Sequence, residues 1–180
     1  MLIPQLTPDA TVDRSVGVPP PHFLPLRGTP ADVRWRPSNY ERKTGQTVAQ
    51  NSGLRYEEKV QRFLSESLRT LYHAAPFLHF RDGHDRRTCV PDGLHFDISG
   101  RTTIFEIKSQ HMPDAWWQLR KLYEPVVQQL RFTNVVSCVE VTKSFDPSMG
   151  FPEEVTVFHD LWTLMAAPSA PFKVLIWRPR

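Results

Sequence analysis

Cysteine is scarce: Cys89 and Cys138 are the only two in 180 residues. Two are too few for a disulfide framework, so a reducing cytoplasm is the expected setting. No apolar run approaches the roughly 18–20 residues of a membrane-crossing helix, which removes a membrane as an expected partner. The N-terminus lacks the basic-then-apolar pattern of a secretory signal. No internal repeat is visible, and no RNA-specific module separates RNA from DNA as a ligand. Charge of either sign is nearly balanced, at a formal +3. The sequence pI of about 9.0 still leans basic, which suits a nucleic-acid ligand without demanding one. With 40% hydrophobic and 11% aromatic residues, the chain can bury one sizeable core. A soluble, intracellular, single-domain protein is the expectation.

Proline is the residue in plenty, and its placement divides the chain. Residues 1–48 carry Pro4, Pro8, Pro19, Pro20, Pro21, Pro25, Pro30 and Pro37 and show no helical or strand period. The triplet Pro19-Pro20-Pro21 favours extended polyproline conformation. This stretch reads as an irregular arm, followed by a domain over residues 49–180 with a C-terminal extension from about residue 143. Near the domain the arm turns basic, with Arg34, Arg36, Arg42 and Lys43 interleaved with Trp35 and Tyr40. Such alternation can grip phosphates and stack on bases, with Arg36 a candidate contact. The favoured reading is plainer: Trp35 pins the arm to the domain beside solvated arginines.

The chemistry gathers in one predicted hairpin. Thr102–Lys108 reads as a β-branched, apolar strand of the kind found inside a sheet, yet it carries Glu106 and Lys108. Two residues apart, those side chains leave the same face, while Ile107 points into the core on the other. Asp92 lies on the preceding strand, after Pro91. A two-residue turn at Ser99-Gly100 would put Asp92 opposite Ile107, on the wrong face. A three-residue loop ending at Gly100, with that glycine left-handed, pairs Asp97 with Arg101 and sets Asp92 opposite Glu106. The second register is predicted. Asp97 then faces the other side and serves the turn. Charges within such a strand cost free energy unless paired, and a divalent metal is one such partner. A solvated Glu/Lys face and an ordinary Pro-Asp turn form the alternative.

Pro91-Asp92 followed by Glu106-Ile107-Lys108 on the next strand resembles the PD-(D/E)xK nuclease superfamily, over about residues 53–142. That family includes restriction endonucleases, Holliday junction resolvases, phage-type exonucleases and transposon-end endonucleases. The resemblance implies an α/β fold with a restriction-endonuclease-like core, ordered α-β-β-β-α-β, in which a mixed sheet is flanked by helices. Many members carry a glutamate on the first helix about one turn after a glycine, and Gly53-Leu54-Arg55-Tyr56-Glu57 fits. Helical spacing places Glu57 with Val60, Leu64, Leu68 and Leu71, and turns Glu58 outward. Glu57 is also readable as a boundary carboxylate in a salt bridge.

The remaining elements come in the expected order. A helix is predicted over about 54–72, Phe77–Phe80 as the first strand, and a second helix after Pro113 with Asp114 as its N-cap. Its apolar stripe is Trp116, Leu119, Tyr123, Val126, Val127 and Leu130, and Pro125 should kink or split it. Val135–Val141 reads as a buried strand. Strands at Val155–Phe158 and Phe172–Trp177 bracket a short helix from Asp160 to Ala167, with pairing left open.

The resemblance implies a Mg²⁺-dependent nuclease, with Mn²⁺ as a substitute. Asp92, Glu106 and the carbonyl of Ile107 would bind the ion, with Glu57 direct or through water. Mg²⁺ prefers near-octahedral oxygen ligands at about 2.0–2.1 Å. It would polarise the scissile phosphate and acidify a bound water, and Lys108 would stabilise charge on phosphorus. Gln110, two residues past Lys108, and the outward-facing Arg120 and Lys121 are candidate phosphate contacts beside Arg36. DNA is the expected substrate. Trp116 or Trp117 would serve a homodimer or partner-protein interface. The alternative from another class is a nucleic-acid-binding or assembly protein on the same fold without the chemistry. His79, His84 and Cys89 match no closed zinc pattern.

Overall fold

The computed structural model describes residues 19–38, 48–149 and 152–179. Arg42, Lys43 and Tyr40 of the arm lie outside the described residues. The chain is an α/β protein with a six-stranded mixed sheet flanked by helices and a second, three-stranded sheet. In chain order the strands are β1 (Ala31–Arg36), β2 (Tyr72–Ala74), β3 (Phe77–Asp82), β4 (Asp85–Cys89), β5 (Gly93–Phe96), β6 (Arg101–Lys108), β7 (Val135–Thr142), β8 (Val155–Phe158) and β9 (Phe172–Ile176). The large sheet runs β2-β5-β6-β7-β9-β8, and the small one β1-β3-β4.

The predicted hairpin register is the observed one. β5 pairs antiparallel with β6, Gly93 opposite Phe105 and Phe96 opposite Thr102. At the turn Asp97 N–H donates to the Arg101 carbonyl (2.8 Å) and Gly100 N–H to the Asp97 carbonyl (3.0 Å). Gly100 has φ +83°, the left-handed bulge conformation that glycine adopts without steric cost. Asp97 serves the turn by accepting from Ser99 N–H at 2.8 Å.

The first helix, α1, spans Val48–Leu68, beginning before Gly53 rather than after it. Val60, Leu64 and Leu68 form its buried stripe, joined by Tyr56. Leu71 falls off that stripe, because the helix tightens into a 3₁₀ turn over Arg69–Leu71 and exposes it. The first strand of the large sheet is Tyr72–Ala74, where the sequence pattern predicts a helix end. The expected first strand, Phe77–Phe80, extends to Asp82 and belongs to the small sheet instead.

The second helix, α2, is one continuous run: α-helical over Pro113–Trp116, π-helical over Trp117–Tyr123, α-helical again over Glu124–Val127. Met112, not Asp114, is its N-cap, and Pro113 opens it, where a missing N–H costs nothing. Asp114 sits in the first turn and pairs with His22 at 3.5 Å. Pro125 does not split the helix. The wider π turn ahead of it sends Glu124 N–H to the Leu119 carbonyl, so the chain absorbs the proline without a break. The expected stripe is buried throughout, from Trp116 to Leu130.

The large sheet is covered on both faces, as its parallel half requires. One core gathers Ile104, Val136, Cys138 and Val174 against α2. The other gathers Phe105, Ile107, Val139, Val141 and Leu175 against α1 and a short helix α3, Leu161–Ala166. Asp160 caps α3, accepting from Thr163 N–H at 2.8 Å. The C-terminal strands are integral: β9 lies parallel to β7, and β8 parallel to β9.

The Pro-rich arm is not wholly irregular. Ala31–Arg36 is a strand, antiparallel to β3, with a bulge between Ala31 and Arg34 and Asp32 at φ 52°. Trp35 pins it, with ring centroids 4.7 Å from His73 and 5.5 Å from Phe96.

Candidate active site

β5 and β6 deliver the two carboxylates. One step beyond the Gly93–Phe105 pair sets Asp92 opposite Glu106, and Ile107 N–H donates to Asp92 Oδ2 at 2.6 Å. Lys108 Nζ donates to Glu106 Oε1 at 2.6 Å. The other carboxylate oxygen of Glu106, Oε2, is buried with no hydrogen-bond partner. A buried acceptor in that state is costly unless a proton or a cation meets it.

The electrostatics follow from crowding. Burial pushes the Asp92 carboxyl well above the usual range, and the charges of Glu106 and Glu57 push it further, against the Ile107 N–H and Lys108. Burial also raises Glu106, with Glu57 and Glu140 adding to it and Lys108 opposing. For Lys108 burial works against the charge, but Glu106 and Asp92 overcome it and the ammonium is held more firmly than usual. Glu57 on α1 is half-buried and acts on both carboxylates; Glu58 is exposed, as expected.

The backbone of Asp92 is clamped from behind. Its carbonyl accepts from Gln61 Nε2 at 2.6 Å and from Ala75 N–H at 2.8 Å. The Tyr72 hydroxyl donates to Gln61 Oε1. Gly93 is required beside these hydrogen bonds, because a Cβ there would collide with the Tyr72 ring and hydroxyl. From α2, the Tyr123 hydroxyl donates to the Val90 carbonyl at 3.2 Å.

Sequence patterns do not single out two residues of this neighbourhood. Glu140 on β7 is level with Glu106 in the parallel ladder and fully buried. It accepts from Met112 N–H at 3.3 Å, and His111 Nδ1 lies 2.8 Å from its Oε2. A signal for Glu140 is present: a carboxylate inside an apolar, β-branched strand, as for Glu106. Nothing local ties His111 to it, since the two are 29 positions apart.

Other candidates are placed differently from expectation. Arg120 does not face outward: Nε and Nη2 donate to Glu153 at 2.6 and 2.9 Å, and Nη1 donates to Glu124. It braces α2 against the segment before β8 and is not available to a phosphate. Trp116 is likewise buried, its Nε1 on Glu153 Oε1 at 2.6 Å, and Trp117 is half-buried. Neither offers an exposed dimer surface. β6 ends at Lys108, so the alternation that would align Gln110 with Lys108 stops short, and Gln110 is an exposed residue of the following bend. Lys121 is exposed, its Nζ 5.1 Å from the Trp116 ring centroid. Arg36 is exposed at the end of β1.

As the side chains stand, no three His, Cys, Asp or Glu groups among the described residues converge closely enough to hold a metal ion. Among the described residues, no helix is long and apolar enough to cross a membrane. No family model, curated protein sequence or solved structure matches the chain.

Proposed function

We propose that the chain is a metal-dependent nuclease of the PD-(D/E)xK kind, acting on DNA. One observation carries the reading: half-buried Asp92 and buried Glu106 are crowded carboxylates beside Lys108, and Glu106 Oε2 has no partner. A structural pair would be satisfied by donors; this one, with Glu57 close by, has a single lysine, and a hard divalent cation is the complement that oxygen ligands select. The order α1, β2, β5, β6, α2, β7, with a three-strand antiparallel meander and β7 parallel to β6, supports a restriction-endonuclease-like core.

In this reading Asp92, Glu106 and the Ile107 carbonyl hold Mg²⁺ or Mn²⁺, with Glu57 direct or through water. Bound there, the ion supplies Lewis acidity toward the scissile phosphate and a more acidic water. Lys108, fixed two residues from Glu106 on the same face, stabilises negative charge growing on the phosphate oxygens. The Gln61–Tyr72 clamp keeps Asp92 at the end of β5, so that the two carboxylates stay opposed.

The second reading is a nucleic-acid-binding or assembly protein on the same fold without the chemistry. A cleavage assay on linear duplex, single-stranded and branched DNA, with Mg²⁺ or Mn²⁺, separates the two. Metal-dependent cutting by wild type, lost in both Asp92→Ala and Lys108→Ala, is the expected result. Folded wild type that binds DNA but never cuts it would decide for the second reading.

A further inference from the structure

The three-stranded sheet has two unlike faces. Val33, Trp35, Leu78, Phe80 and Cys89 turn inward onto the α2-side core. The outward positions are Arg34 and Arg36 on β1, His79 and Arg81 on β3, and Arg86 and Thr88 on β4, all exposed. The ladder puts them in rows: Arg34 beside His79 and Thr88, and Arg81 beside Arg86. With Asp32, Phe80 and Arg87 they line an open groove of about 580 Å³.

Charge on that face is largely unspent. Arg81 pairs with Asp32 at 2.9 Å, but Arg34, Arg36 and Arg86 make no ion pair among the described residues. Arg87, of opposite parity, turns inward to Asp82. Like charges packed in adjacent strands repel each other, so this clustering costs stability and calls for a polyanion to offset it. Arginine's planar fork suits phosphate in particular.

β4 ends at Cys89, three residues before Asp92, so their Cα atoms are at most about 11 Å apart. We infer that this outer sheet face is the docking surface for the phosphate backbone of the DNA substrate, a track that runs along β1, β3 and β4 toward the carboxylates. The inference rests on the nuclease reading for its direction. Its occupant is recognised by phosphate spacing and charge, not by base identity.

The test is binding of full-length protein to a labelled linear duplex by fluorescence anisotropy, in EDTA so that no cutting occurs. The variant is Arg34→Ala/Arg36→Ala/Arg86→Ala. The control, Arg55→Ala/Lys59→Ala/Arg62→Ala, removes equal charge from the exposed face of α1. The expected result is at least a tenfold loss of affinity for the first variant and less than about twofold for the control. The plot of log affinity against log salt should flatten by about 0.9 for each phosphate no longer neutralised, about two to three in all. Should the first variant melt early, the Arg34→Gln/Arg86→Gln pair reads the same slope with a smaller decrement. Wild-type affinity in the sheet variant, an equal loss in the control, or displacement of DNA by polyglutamate as readily as by unlabelled duplex would each overturn the inference. Because no metal is present, failure here leaves the cleavage result standing. Failure of Asp92→Ala to abolish cutting would equally leave this binding result intact.

Discussion

Asp82 and the Asp92–Glu106 pair are carboxylates drawn out of water, Asp82 and Glu106 fully and Asp92 in part, and they are treated oppositely. Asp82 is fully buried, yet it accepts from Arg87 Nη1 at 2.6 Å and from the Arg27 N–H at 2.9 Å. Burial alone would raise its pKa, but those donors and the Arg87 charge hold it below the usual range. Asp92 and Glu106 have one lysine and one backbone N–H between them, and each is raised. Asp82 is provisioned for stability; it ties the β3–β4 hairpin to the arm. The Asp92–Glu106 pair is left short of positive charge, and the proposed divalent cation would supply it.

The largest break in that contrast is Glu106→Gln. Metal-dependent cleavage should fall by about 10²–10³-fold, while the melting point of the metal-free protein should hold or rise, because a repelling charge is gone. A variant that both cuts normally and melts early would make Glu106 structural, like Asp82. Asp82→Ala is the mirror experiment: it strands Arg87 and the Arg27 N–H. Urea unfolding should show a loss of about 3 kcal/mol, with cutting unaffected when measured well below the melting point.

Gly93→Ala attacks the clamp behind Asp92. Its new methyl must push Tyr72 off Gln61, which holds the Asp92 carbonyl. A loss of about 1–3 kcal/mol is expected from overpacking, along with weaker cutting, whereas Gly28→Ala, with open space around it, should change little.

The smallest effect is in pH, and it has opposite signs in the two regions. Asp82, lowered in the folded state, contributes stability that is present above the unfolded carboxylate pKa of about 4 and lost as pH falls through its folded value. Asp92 and Glu106 are raised, so the unfolded chain sheds their protons first. The metal-free protein should therefore lose stability as pH climbs from about 4 through those raised values. Urea midpoints across pH should flatten on the neutral side in Asp92→Asn and on the acid side in Asp82→Asn. Identical profiles in both variants would erase the distinction.

Much of the site is legible in the sequence because its grammar is local. The i, i+2 spacing of Glu106 and Lys108, the glycine at position 100 and the apolar stripe of α2 each act within a few residues, and each appears where the pattern puts it. Arg120 is not legible in this way, because a helix face looks solvated until Glu153, 33 positions away, folds over it. Tyr72–Ala74 escapes for another reason: a three-residue strand has too few positions to show a period of two.

By itself the sequence determined the hairpin register, and with it the opposition of Asp92 and Glu106, since Gly100 supplies the left-handed residue on which the three-residue loop closes. Only the tertiary structure decided which carboxylates crowd one another and which are satisfied. Glu57 and Glu140 reach Glu106 from α1 and β7, and Arg27 and Arg87 reach Asp82 from the arm and β4. Electrostatic fate depends on that convergence and on lost water, and neither is written in any stretch of neighbouring residues.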